Sequence, residues 1–280
     1  MIRLLLPGVR QEWSTEDLIG SWTLVGEDWR LVGNKSGATR LGFSLLLKFF
    51  ELGGRFPTGP EELPAAAVAY MADQVKVDPA LLDTYRWSGS TIEYHRAQVR
   101  DACGFRESSR SDEDKLASWL AAEVCPVELR DEQLRQALLI RCRAERIEPP
   151  GRIDRIIGSA RTTFEKRFCD RTVSRLSELS IDRLNNLVTI GAAALASGRN
   201  LLAELKSDPG KVSLETLLRE VDKLAAVRAL ELPPDLFADT SEKLVHAWRA
   251  RAARSFPSDL RDMPEPTMLT LLAALCWWIC

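Results

Sequence analysis

The chain is written in blocks of helical period, each closed by a proline or glycine cluster, and no run alternates as a strand would. Breakers stand at Gly53 and Gly54, at FPTGP (56–60), at Pro149-Pro-Gly, at Asp208-Pro-Gly and at Pro233-Pro. Between them the apolar residues recur every three or four positions. Ser14 followed by Glu16 and Asp17, Asp78 before Pro79, and Ser111 followed by Asp112 and Glu113 have the composition of helix starts. The spacing predicts helices over 40–51, 64–75, 79–85, 90–103, 111–125, 131–147, 150–175, 191–206, 213–229, 241–254 and from 267 onward. The fold class is therefore all-α.

Charge is unevenly laid on this frame. The 280 residues sum to a net charge of −2, yet residues 133–175 hold eleven basic residues against five acidic ones. At about 100° per residue, Ile153, Ile156, Ile157, Ala160, Phe164 and Phe168 share one face of the helix over 150–175. Arg152, Arg155, Lys166 and Arg167 gather opposite, with Ser159 and Thr162. The helix before it repeats the plan, with Leu134, Leu138 and Leu139 inward and Arg135, Arg143 and Arg146 clustered. A concentrated positive face on a near-neutral chain suits a polyanion, and guanidinium suits phosphate. The same charges also suit a solvated face laced with intrahelical ion pairs. Both readings stand at this point.

The short helix over 79–85, a turn with Gly89 and the helix over 90–103 have the proportions of a helix-turn-helix, and equally of any αα-hairpin. In the first case Thr91, Tyr94, His95, Arg96 and Gln98 are candidates for base or groove contact. Ile92, Val99 and Cys103 would face inward. Candidates for phosphate contact are Arg135, Arg143, Arg146, Arg152, Arg155 and Arg161, with Arg40 and Lys48 from the earlier helix.

Six cysteines without a Cys-x-x-Cys pair, and only two histidines, argue against a zinc site and for reduced thiols in the cytoplasm. No stretch reaches the roughly 20 apolar residues that span a bilayer. The run LTLLAALCWWIC at 269–280 is apolar to its last residue, which reads as a truncated end.

The phrases RLGFSLLLKFFELGGRFP (40–57) and ERIEPPGRIDR (145–155) resemble the N-terminal region of the Tn3-family, TnpA-type replicative transposases. PAAAVAYMA (64–72), residues 85–100, CGFR (103–106), residues 237–248 and residues 256–277 are similar to it as well, so the likeness covers essentially the whole chain. The resemblance implies tandem helical DNA-binding units that recognise terminal inverted repeats, followed by helical material for dimer assembly, in a bacterial cytoplasm at the nucleoid. It implies three divisions: 1–108 and 109–178 as DNA-binding units, 179–280 as a helical linker or dimerisation region. Strand cleavage in such enzymes belongs to a later RNase H-like domain, where three carboxylates hold Mg²⁺. The expectation for this chain is no catalytic triad, no cofactor of its own, duplex DNA as partner and possible homodimerisation through its C-terminal part. The competing expectation is a helical protein–protein module or an inhibitory transposase remnant.

Overall fold

The computed structural model describes residues 13–189, 201–207 and 210–277. In chain order its helices are α1 (Thr15–Trp22), α2 (Asp28–Val32), α3 (Gly37–Gly53), α4 (Ala65–Val75), α5 (Ser90–Ala102), α6 (Arg110–Trp119), α7 (Asp131–Ala144) and α8 (Ile153–Val173). They continue as α9 (Glu178–Thr189), α10 (Leu201–Lys206), α11 (Leu214–Arg228), α12 (Glu242–Arg254), α13 (Pro257–Asp262) and α14 (Glu265–Trp277). No strand occurs among the described residues; one isolated parallel bridge joins Arg106 and Ile147. The all-α expectation holds. Most of the expected helix over 191–206 lies outside the described residues, which take it up at Leu201.

Local chemistry accounts for the boundaries. Ser14 caps α1 in a capping box with Asp17. α6 starts earlier than Ser111: the Asp112 amide donates to Ser109 Oγ at 3.2 Å and the Ser109 amide to Asp112 Oδ2 at 2.9 Å. It ends at Trp119 and runs on as a π-helical turn, Leu120–Val124, before Pro126 stops it. α7 stops at Ala144, short of the expected 147, because Arg146 takes a left-handed φ of 55° and the chain turns into the bridge. The short helices α2 and α13 are too short to show a period; α9 does show one, with Ile181, Leu184 and Val188 at helical spacing, though no helix was expected there.

By packing, the chain forms two compact units that interleave in sequence, Met1–Glu113 with Gln136–Ile153, and Asp114–Arg135 with Asp154–Cys280. The three divisions expected above rest on the resemblance; these two rest on packing.

The first unit is built round α3, roughly 25 Å long at 1.5 Å per residue. Every residue from Leu41 to Phe50 in it is buried, so α1, α4, α5 and the 3-10 helix Pro79–Thr84 must cover it on all sides. Gly42 is where the 3-10 helix comes closest: a Cβ there would stand within 2.6 Å of the Tyr85 ring. α3 ends at Gly54, whose φ of 69° and amide bond to the Phe50 carbonyl at 2.7 Å close the last turn. In the second unit α14 plays the central part, with Met268 to Cys276 buried. The apolar run at 269–276 is thus core. Trp248 of α12 and Phe237 pack on Phe168 of α8, with ring centroids 5.1 and 6.1 Å away.

Candidate nucleic-acid interface

In the first unit α5 is held from behind. Ile92 and Val99 are buried as expected, and His95 is buried with them at 3 % exposure. Its Nδ1 shares a 2.7 Å hydrogen bond with the Tyr85 hydroxyl, and its ring stands edge-on to Phe43 at 5.2 Å. Burial, with Lys35 nearby, lowers its pKa to about 4. A neutral, enclosed imidazole cannot reach a groove, so His95 leaves the set of contact candidates. The helical period places it between Ile92 and Val99, and that position prevails over the chemistry that made it a candidate.

Thr91 and Tyr94 stand outward, Tyr94 at 62 % exposure. Gln98 is half-buried and donates to the Tyr94 hydroxyl at 3.1 Å, which leaves its Oε1 enclosed without a partner. Arg96 leans inward, its guanidinium 5.4 Å from the Phe56 ring centroid. α5 thus presents a narrow polar ridge of Thr91, Tyr94 and Gln98. Arg86, in the turn just before it, is exposed and makes no ion pair among the described residues.

The loop after α7 is pinned beside this helix. Arg100 of α5 holds Glu148 at 2.6 Å and Glu107 at 2.5 Å. The Glu148 amide donates to the Arg106 carbonyl at 2.8 Å. Glu93, Arg96, Arg100, Glu148 and Gly151 line a cavity of about 360 Å³ between them. The loop presents Arg146 and Arg152. Arg146 donates to the Cys103 carbonyl at 3.1 Å and lies over Phe105; Arg152 is exposed with no ion pair among the described residues.

Two other cations of this unit do structural work, and a third is half-buried. Arg143 donates to the carbonyls of Leu52 and, at 2.9 Å, of Glu51, satisfying the open C-terminal end of α3. Lys48 is buried between Asp28 at 2.6 Å and Glu51 at 2.8 Å. Burial opposes its charge, but those two carboxylates carry its pKa upward. Lys48 therefore also leaves the candidate set, as an ion-paired core residue rather than a surface cation. Arg40 is half-buried with its Nε enclosed.

In the second unit the arginine row is thinner than the composition suggests. Arg135 pairs with Asp154, and Arg161 with Asp131 at 2.9 Å. Lys166 pairs with Asp170 at 2.6 Å, and Arg171 and Arg175 share Asp239 at 3.3 and 2.8 Å. Arg155 and Arg167 are exposed and make no ion pair among the described residues. The burial of Ile156, Ile157, Ala160, Phe164 and Phe168 matches the expected inner face of α8. Ion-pair networks and unpaired cations therefore share its outer one.

A family model described as a domain of unknown function, DUF4158, matches residues 3–160. The chain belongs to the DUF4158 family. That DUF4158 match takes in α5, the pinned loop and the start of α8, and ends before α12. Over 93 % of its length the chain is 27 % identical to the transposase for transposon Tn21 of Escherichia coli. Over 96 % it is 23 % identical to the transposase for transposon Tn1546 of Enterococcus faecium. The transposase for transposon Tn501 of Pseudomonas aeruginosa is 24 % identical over 94 % of the chain. The chain spans about a quarter of the length of these curated relatives, 26 to 28 % of each. No helix among the described residues is long and apolar enough to cross a membrane.

Proposed function

We propose that this DUF4158 chain binds duplex DNA at the terminal inverted repeats of a transposon, as the recognition part of a replicative transposase. The observation that carries the reading is the polar ridge of α5, together with Arg86 in the turn before it and Arg152 in the loop pinned to it, neither of which makes an ion pair among the described residues. A ridge of Thr91 and Tyr94, with Gln98 braced against the Tyr94 hydroxyl, offers hydroxyl groups and an amide N–H to base edges. The guanidinium groups of Arg86 and Arg152 take phosphates and fix the register. Arg146 adds to them, and Arg155 and Arg167 serve the second unit in the same way. Arg135, Arg143 and Arg161 act by holding helices in place. The transposase relatives supply the kind of DNA; the strand-transfer chemistry, with its Mg²⁺, belongs in this reading to an RNase H-like domain and not to these helices.

The test separates grip from reading. Arg152→Glu with Arg155→Glu weakens binding to every duplex alike and lowers the salt slope by about 2, since each neutralised phosphate contributes roughly 0.9. Gln98→Ala changes the ranking of sequences while leaving that slope in place. A Gln98→Ala chain with unchanged preference and unchanged affinity removes α5 from the reading.

One observation favours a second reading, a helical dimerisation module. Leu214, Leu217, Leu218 and Val221 form an exposed stripe on α11, each at least 55 % exposed. Pairing with a second copy would cover it, and a strict monomer at micromolar concentration in sedimentation dismisses that reading.

A further inference from the structure

The loop that carries Arg152 faces α5 across a hollow rather than through packed side chains. Glu93, Arg96 and Arg100 of α5 line one side of that cavity of about 360 Å³, and Glu148, Pro149 and Gly151 line the other. Such a gap sets no spacing, because van der Waals contact fixes a distance only where surfaces touch. What crosses it is Arg100. One terminal nitrogen of its guanidinium holds Glu148 at 2.6 Å and the other holds Glu107 at 2.5 Å. Two carboxylates on two nitrogens fix the plane of the fork as well as its reach. The Arg100 side chain is only 13 % exposed, so it spans the hollow without offering itself to a ligand.

The loop can pass that constraint onward. The Arg106 amide donates to the Arg146 carbonyl at 3.0 Å, and the Glu148 amide to the Arg106 carbonyl at 2.8 Å. Ile147 lies buried between these two bonds, so residues 146–148 have one register beside Arg106. Pro149 and Pro150 come next, each with φ set by its ring, and Pro150 is buried. Only Gly151 then separates them from Arg152, which is exposed and makes no ion pair among the described residues. A long cation loses rotamer freedom when it grips a phosphate, and less affinity is lost when its backbone is already in place.

We infer that Arg100 is a positioning residue for DNA: by spanning the cavity to Glu148 it holds Arg152 at a fixed offset from the α5 ridge, so that phosphate and base contacts fall in one register. The inference rests on the DNA-binding reading above and adds a residue that acts without touching DNA. A double-mutant cycle in the whole chain tests it. Arg100→Gln with Glu148→Gln removes one charge of each sign, so the net charge presented to DNA is unchanged. With the pin intact, Arg152→Ala lowers the salt slope by about 1 and abolishes ethylation interference at one phosphate of a terminal-repeat duplex. With the pin removed, interference at that phosphate is already gone, and adding Arg152→Ala changes affinity by less than about twofold. A general loss of stability would weaken every contact and leave the Arg152 effect at full size. If the double variant melts early, Glu148→Gln alone, which leaves Arg100 on Glu107, decides. An Arg152 effect of equal size with and without the pin overturns the inference and leaves the DNA-binding reading intact. No effect of Arg152→Ala in the unaltered chain overturns the phosphate grip by Arg152 itself, and the inference with it.

Discussion

His95 shows how position can outweigh chemistry. Histidine hydrogen-bonds bases, which makes it a groove candidate in the sequence, but burial makes it a neutral core residue with its pKa lowered to about 4, against an ordinary 6.5. Between these two values the unfolded chain binds a proton that the folded chain refuses. Stability present above pH 6.5 therefore declines as pH falls from there to about 4. Melting temperature should fall more steeply across that window for the native chain than for His95→Gln, and coincident curves would mean that the imidazole titrates normally. Lys48 makes the complementary case. Lys48→Ala leaves Asp28 and Glu51 facing each other beneath α3 and should cost roughly 3 kcal/mol in a denaturant titration, whereas a surface lysine would cost almost nothing. The pairing with Asp28 is invisible in the sequence, because Asp28 meets Lys48 only across the fold.

At the scale of elements, helix positions are legible in the sequence and helix packing is not. The breakers and caps mark α1, α3, α4, α5, α11 and α12 to within a few residues, because each boundary is set by groups within one turn of it. α2 and α13, of five and six residues, are too short to show a period. The charge count also misleads locally: Arg135, Arg143 and Arg161 have the pattern of surface cations, yet each is engaged by a group far away in sequence. The close approach at Gly42 belongs here too. Gly42→Ala pushes a methyl into the Tyr85 ring and should destabilise the chain by about 1–3 kcal/mol, read as a lowered denaturation midpoint. An unchanged midpoint would show that the 3-10 helix can shift away from α3 freely.

For the molecule as a whole, the DNA reading survives in a reduced form. The continuous row of guanidinium groups expected on α7 and α8 is broken up by ion pairs, and among the described residues Arg86 and Arg152 in the first unit and Arg155 and Arg167 in the second remain without one. Fewer phosphates gripped implies a gentler salt dependence than the eleven basic residues of 133–175 would suggest, because every phosphate left unneutralised takes about 0.9 off the slope. More of the selectivity then falls to α5. The most direct measurement is fluorescence anisotropy of the chain with a terminal-repeat duplex and with a scrambled duplex of equal length and composition, at one salt concentration. Base reading by α5 predicts binding to the repeat tighter by about tenfold or more; equal affinity for the two duplexes would contradict it.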